Sequence, residues 1–230
     1  MKTIGLLGGM SWESTVTYYQ TINALVKQQL GGFHSAKILL YSVNFDPIEK
    51  LQHKGDWAGT AEILTKAAMN LENGGADFLL ICTNTMHRVA PQIQESLTIP
   101  ILHIADATAE ELKKSKINKV GLLGTAFTME HDFYKGRLRE KHGLKVITPD
   151  QEDRTLVHDV IYNELCMGKF NENSKNAYMQ VIEKLKESGA EAVILGCTEI
   201  ALLVGKEKTS IPLFDTARIH AQKSVELALD

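Results

Sequence analysis

Cys197 stands between Gly196 and Thr198, at the end of one short apolar run and the start of another stretch rich in Leu, Ile and Ala. A thiol at a helix N-terminus can have a lowered pKa and act as a thiolate base. A second polar cluster, Cys82-Thr83-Asn84-Thr85, follows the apolar run 78–82, and a third, Gly8-Gly9-Met10-Ser11, follows the first apolar run of the chain. All three read as strand ends that lead into helix N-termini. Free backbone N–H groups and the helix dipole there favour an anion such as a carboxylate. A phosphate ligand fits poorly, because Gly5-Leu6-Leu7-Gly8-Gly9-Met10 matches neither G-x-G-x-x-G nor the phosphate loop.

An internal repeat relates two of these clusters. Gly5-Leu6-Leu7-Gly8 recurs as Gly121-Leu122-Leu123-Gly124, an offset of 116. Gly75-Ala76-Asp77 recurs as Gly189-Ala190-Glu191 at an offset of 114, and Ile99-Pro100-Ile101 as Ile211-Pro212-Leu213 at 112. Three anchors in one order with slowly drifting offsets indicate duplication. At offset 114 the mate of Cys197 is Thr83, and the mate of Gly196 is Cys82. Should the halves face each other, a hydroxyl and a thiol approach one ligand from opposite sides. Inverting a stereocentre that bears a C–H needs such a pair, one to remove the proton and one to return it. Cys82 is expected to point the other way, since neighbouring strand side chains alternate faces; a bulge that rotated it inward would make it the partner of Cys197 instead.

Blander readings stand beside these. Cys197 could be a buried core thiol, and Thr83 a helix N-cap. Glu199 either orients Cys197 or the substrate amine, or is a carboxylate favoured by a helix N-terminus. His87 is expected to pack on its helix rather than enter a site. Cys82, His87 and His103 have no recognisable metal-ligand spacing.

The elements that must position these groups alternate. Residues 3–7, 37–41, 78–82 and 99–102 are Ile-, Leu- and Val-rich runs suited to strands buried on both faces of a parallel sheet. Amphipathic stretches 14–30 and 60–73 separate them, the second closed by Gly74-Gly75. In the second half the expected strands are 119–123, 144–147, 192–195 and 213–214, with helices over 129–142, 152–166 and 174–188. The fold class is thus α/β, with two pseudo-symmetric doubly wound parallel-sheet halves and the active site between them. The expected division is 1–106 plus 216–230 and 107–215, joined near 106–116 by a helix.

Bulk properties narrow the function. A chain of 230 residues with formal net charge −3 and no Lys/Arg stripe gives no footprint for nucleic acid. The Lys113-Lys114 pair and the cluster at 206–208 read as surface charge. The apolar runs are too short for a bilayer. Three cysteines without a CxxC pair point to a reducing compartment, the cytoplasm.

The motifs resemble a known family. Cys82-Thr83-Asn84-Thr85-Met86-His87 is similar to the first catalytic motif of the aspartate/glutamate racemases, and Gly196-Cys197-Thr198-Glu199 to their second. Gly8-Gly9-Met10 resembles the opening loop of the aspartate racemase branch, and the likeness extends over essentially the whole chain, nearest to the broad-specificity amino-acid racemases of enteric bacteria. The resemblance implies an amino-acid racemase that needs neither pyridoxal phosphate nor metal, commonly a homodimer. It makes Cys197 the second catalytic cysteine, acting on the L form. It assigns substrate binding to Met10, Ser11, Thr83, Asn84, Thr85 and Thr198, with Gln52, in the loop after the second strand, a weaker candidate. It also implies that a C-terminal helix over 215–229 packs on the first half.

Two departures follow. Thr83 stands where the family has its first cysteine, so initial turnover from L to D is expected to exceed the reverse. Cys166 stands on a helix where aspartate racemases often carry a lysine that holds the side-chain carboxylate. Two other functions compete: a single-cysteine decarboxylase or isomerase like the arylmalonate decarboxylases, and a binding protein that lost turnover with its cysteine.

Overall fold

The computed structural model describes residues 1–205 and 209–230, so the basic cluster at 206–208 lies outside the described residues. The chain divides into two compact units, Met1–Ile104 with His220–Asp230, and Ala105–Ile219. Both are α/β, with a parallel sheet flanked by helices.

In the first unit β1 (Ile4–Gly8) lies between β2 (Ile38–Ser42) and β3 (Phe78–Ile81), all parallel. Strands β1 and β3 are wholly buried and read as unbroken apolar runs, as two-sided burial demands. Strand β2 departs from that expectation. As the sheet edge it leaves Leu40 and Tyr41 exposed. The run 99–102 forms no full strand either. Only Ile101 bridges to Leu79, through bonds from Leu79 N–H to Pro100 O and from Leu102 N–H to Leu79 O. Pro100 has no N–H to extend the ladder.

Helix α1 (Trp12–Leu30) buries Thr15, Tyr18, Ile22 and Val26, a spacing of one helical face, and Ser11 caps it by accepting from Ser14 N–H. Helix α2 (Phe45–His53) occupies the stretch expected as a loop. Pro47 sits in the first turn, where a missing N–H costs nothing, and Asn44 caps the end. Gln52 therefore lies on a helix, one turn after Ile48 on its buried face, and not in a loop. Helix α3 (Trp57–Asn73) and the short α4 (Ala90–Glu95) complete this unit's core, with Leu64, Leu71, Leu79, Ile81, Val89 and Ile93 at its centre.

Helix α5 (Ile104–Lys114) leads into the second unit, whose sheet runs β5-β4-β6-β7: β4 (Lys119–Gly124), β5 (Lys145–Ile147), β6 (Ala192–Gly196) and β7 (Leu213–Asp215). All its pairings are parallel. The repeated glycines hold equivalent places. A Cβ on Gly5 would come to 3.0 Å from Ala76 Cβ, and one on Gly121 to 2.9 Å from Leu185 Cδ1. Each lets a helix or turn close on its central strand.

The stretch expected as one helix over 129–142 is two, α6 (Ala126–Glu130) and α7 (Asp132–His142), separated by an extended His131. Next, α8 (Gln151–Asn163) ends before Cys166, because Glu164 leaves helical geometry. Cys166 instead occupies a single 3-10 turn, Leu165–Met167, closed by Gly168 in left-handed conformation. Helices α9 (Glu172–Glu187) and α10 (Thr198–Val204) pack on Leu123, Val157, Val193 and Leu195. Helix α11 (Thr216–Leu229) begins in the second unit, while His220–Asp230 belongs to the first, where Ala228 O accepts from Lys2 N–H. Among the described residues no helix is long and apolar enough to cross a membrane.

Candidate active site

Parallel pairing puts the carboxyl ends of β1 and β3 side by side, and with them two of the three polar clusters. Gly9 takes φ +93°, and a Cβ there would run into the Val43 backbone, so only glycine fits the turn. Gly9 N–H donates to Thr15 Oγ1 at 2.8 Å. Met10 is buried and packs in the core, which leaves its backbone as the part that can meet a ligand. Ser11 caps α1, and Ser14 Oγ reaches both Ser11 O at 3.2 Å and Cys82 O at 3.4 Å. Ser14 thus joins the two loops. It was missed because its position inside a helical pattern carries no motif.

After β3 the side chains separate sharply. Cys82 is fully buried, and burial pushes its thiol far above the usual cysteine range. Asn84 and Thr85 are buried too, whereas Thr83 is half-buried. Of the two neighbours, only Thr83 is partly exposed. Thr85 begins a 3-10 turn, Thr85–Val89.

In the second unit the paired strand ends are Gly124 and Gly196. Thr125, which caps α6, follows the first and Cys197 the second. Thr125 was also missed, although the offset of 116 pairs it with Gly9. Cys197 is half-buried in extended conformation at the N-cap of α10. Its Sγ lies 3.0 Å from Glu199 Oε2, and Thr198 Oγ1 donates to the same oxygen at 2.6 Å. Glu199 is itself buried, so one carboxylate oxygen gathers both protic neighbours.

This arrangement corrects the expectation of a lowered thiol pKa. Burial, then the negative charge of Glu199 and the nearby Cys166, hold Cys197 well above the usual cysteine range. A helix of seven residues is too short for its dipole to offset them. In this state Cys197 is a neutral thiol donating to Glu199. Cys166 and Cys197 pack against one core cluster, which includes Tyr178, donating to Val157 O at 2.8 Å. No disulfide joins the three cysteines. Asp215, at the end of β7 beside β6, was not singled out; burial raises its carboxyl pKa. Among the described residues no group of three or more His, Cys, Asp or Glu is arranged to hold a metal ion.

Comparisons with known proteins assign the chain to a family. Residues 7–224 match the family described as Asp/Glu/Hydantoin racemase. A curated relative, the broad specificity amino-acid racemase RacX of Bacillus subtilis (strain 168), is 22% identical over 98% of either chain. A crystal structure of a candidate Asp/Glu racemase from Yersinia pestis is 55% identical with a TM-score of 0.93, covering 100% of both chains. That of an aspartate racemase homologue from Pyrococcus horikoshii OT3 is 38% identical with a TM-score of 0.86, again over 100% of both. With the family spanning nearly the entire chain and both polar strand ends within it, this protein belongs to the Asp/Glu/hydantoin racemase family.

Proposed function

We propose that this chain is an amino-acid racemase, independent of pyridoxal phosphate, that interconverts L- and D-amino acids by proton transfer on both faces of the α-carbon. The observation that carries the reading is the pairing of Thr83 with Cys197 by the repeat, each a partly exposed residue with a protic side chain at its strand end. Family membership and the RacX likeness over the full chain support the same reading.

The thiol must first ionise. Glu199 Oε2 already accepts the Cys197 S–H and relays its proton to solvent, leaving a thiolate; that proton meets the hydroxide formed when water later restores Thr83. The thiolate removes the α-hydrogen of an L-amino acid: the C–H bond breaks, an S–H bond forms, and the electron pair moves into the substrate carboxylate. Thr83 O–H delivers a proton to the opposite face, and water restores the hydroxyl. A threonine hydroxyl is a poor base, so it serves best as the acid. Backbone N–H groups around Met10 and Ser11, with Asn84, Thr85 and Thr198, hold the α-carboxylate and amine. Gln52 and Cys166 face the remainder of the substrate. The equilibrium constant for enantiomers is one, so specificity constants are equal in both directions. A faster L-to-D turnover must then appear in kcat and be matched by KM.

The raised thiol pKa gives a pH prediction with a definite sign. The base form accumulates only as pH rises, so kcat/KM climbs through the alkaline range. Glu199→Gln removes the charge that holds the pKa up, so the climb moves to lower pH. It also removes the proton acceptor, and maximal kcat falls about 10- to 100-fold. A pH–rate profile checks this; an unmoved alkaline limb in the variant contradicts it.

The direct test of the activity is a panel of L-amino acids in deuterated water, followed by chiral chromatography and mass spectrometry. Solvent deuterium at the α-carbon of both enantiomers supports racemisation. Its absence throughout the panel ends the reading. The proposal places the enzyme in the cytoplasm as a homodimer, for which α1 offers Trp12, Val16 and Tyr19 as exposed apolar contacts. A monomeric mass in sedimentation equilibrium removes that part.

A further inference from the structure

The motif that carries Thr83 also carries a buried histidine that the proton transfers do not use. His87 lies in the turn Thr85–Val89, 1% exposed, with Nδ1 at 2.8 Å from the Thr83 carbonyl oxygen. A carbonyl oxygen only accepts, so Nδ1 carries the hydrogen. The other ring nitrogen, Nε2, is 3.2 Å from the backbone nitrogen of Ile104, which only donates. Nε2 therefore accepts and carries no hydrogen. These two backbone partners leave one form of the ring, neutral with the hydrogen on Nδ1.

The surroundings favour the same form. His103 packs against His87 with ring centroids 4.4 Å apart, and His220 lies at 5.9 Å. His220 is pinned likewise, with Nε2 donating to Leu102 O at 2.7 Å and Nδ1 accepting from the Tyr18 hydroxyl at 2.9 Å. Burial and the neighbouring His87 bring His220 down to about 3, so a second neutral ring buttresses the first. Through its two bonds His87 ties the loop after β3 to Ile104, the first residue of α5.

We propose that His87 is a positioning residue, its neutral ring clamping the Thr83 carbonyl and so setting where the Thr83 hydroxyl points. The inference rests on the reading of Thr83 as the second proton-transfer group. Thr83 is only half-buried, so its own packing restrains it less than the buried Cys82, Asn84 and Thr85 are restrained. The bond from His87 is the restraint nearest its side chain. Misplacement of a reacting group by an ångström can cost about 100-fold in rate.

Two variants divide the two bonds of the ring. An asparagine amide at position 87 reaches about as far as Nδ1 and keeps a donor for Thr83. A glutamine amide reaches about as far as Nε2 and meets Ile104 instead. In deuterated water, with the L-amino acid that the wild type inverts fastest, inversion is measured beside same-face exchange of the α-hydrogen. His87→Asn is expected to keep their ratio within about 3-fold, while His87→Gln lowers it about 10-fold or more. Same-face exchange, which needs only Cys197, changes less than about 3-fold in both.

An unchanged ratio in His87→Gln, or parallel losses of both activities, overturns the proposal and leaves the racemase reading standing. A wild type that exchanges nothing overturns both, which tells the failures apart. A second measurement does not depend on the variants folding. Nitrogen-15 spectra of wild-type His87 should report the neutral Nδ1–H form at the pH of the assay. A protonated ring, or the hydrogen on Nε2, overturns the clamp.

Discussion

Thr83→Val is expected to stop inversion while L-amino acids continue to exchange their α-hydrogen with solvent. Valine keeps the branched shape of threonine and removes only the hydroxyl, so the loop and its bond from His87 persist. Cys197 can still take the proton, exchange it with deuterium and return it to the face it came from. Without a proton donor on the other face, the D enantiomer does not form. The expected loss of inversion is about 100- to 10,000-fold, the usual worth of a positioned acid or base. Chiral chromatography gives the inversion rate, and mass spectrometry of the recovered L enantiomer gives the exchange. Equal losses of both would show that Thr83 does something other than supply the second proton.

Cys197→Ser should silence both activities from the L side. A serine hydroxyl is a far weaker acid than a thiol, and Glu199 cannot generate an alkoxide where it could generate a thiolate. The fall expected is about 1,000-fold or more in exchange and inversion alike. Retained exchange in this variant would contradict the assignment of Cys197 as base. The same pair of variants separates the competing functions. A single-cysteine decarboxylase would release carbon dioxide from a malonate, lose that activity with Cys197→Ser and keep it with Thr83→Val. A binding protein would show heat of binding and no isotope exchange in any variant.

Where sequence reasoning failed, it failed at features that burial and packing decide. Glu199 follows Cys197 by two residues and was in view, yet its effect on the thiol could not be weighed without knowing that both are packed. A helix N-terminus alone argues for a lowered pKa, and burial beside a carboxylate argues for a raised one. Tertiary packing decided between them. Gln52 lies on a helix and not in a loop, because a helix of 9 residues is too short to show its period plainly in the sequence. Cys166 moved from helix to 3-10 turn because an early helix end at Asn163 leaves no mark in composition. Strand β2 was expected inside a sheet and lies at its edge, since strand order depends on partners that may be far apart in the chain.

Much else was local and therefore legible. Unbroken apolar runs at β1, β3, β4 and β6 announce two-sided burial, because any polar residue there would have lost its water. The repeat is a matter of spacing alone, and it aligns Thr83 with Cys197. Residue types and order thus determined the α/β class, the duplicated pattern and the protic groups at its strand ends. Only the folded chain decided which of those groups stay open and in what protonation state. Burying Cys82 beside an open Thr83, joining Cys197 to Glu199, and closing His87 onto Thr83 and Ile104 all depend on how elements pack. Desolvation and hydrogen-bond geometry act through space, and the order of residues in a chain does not contain them directly.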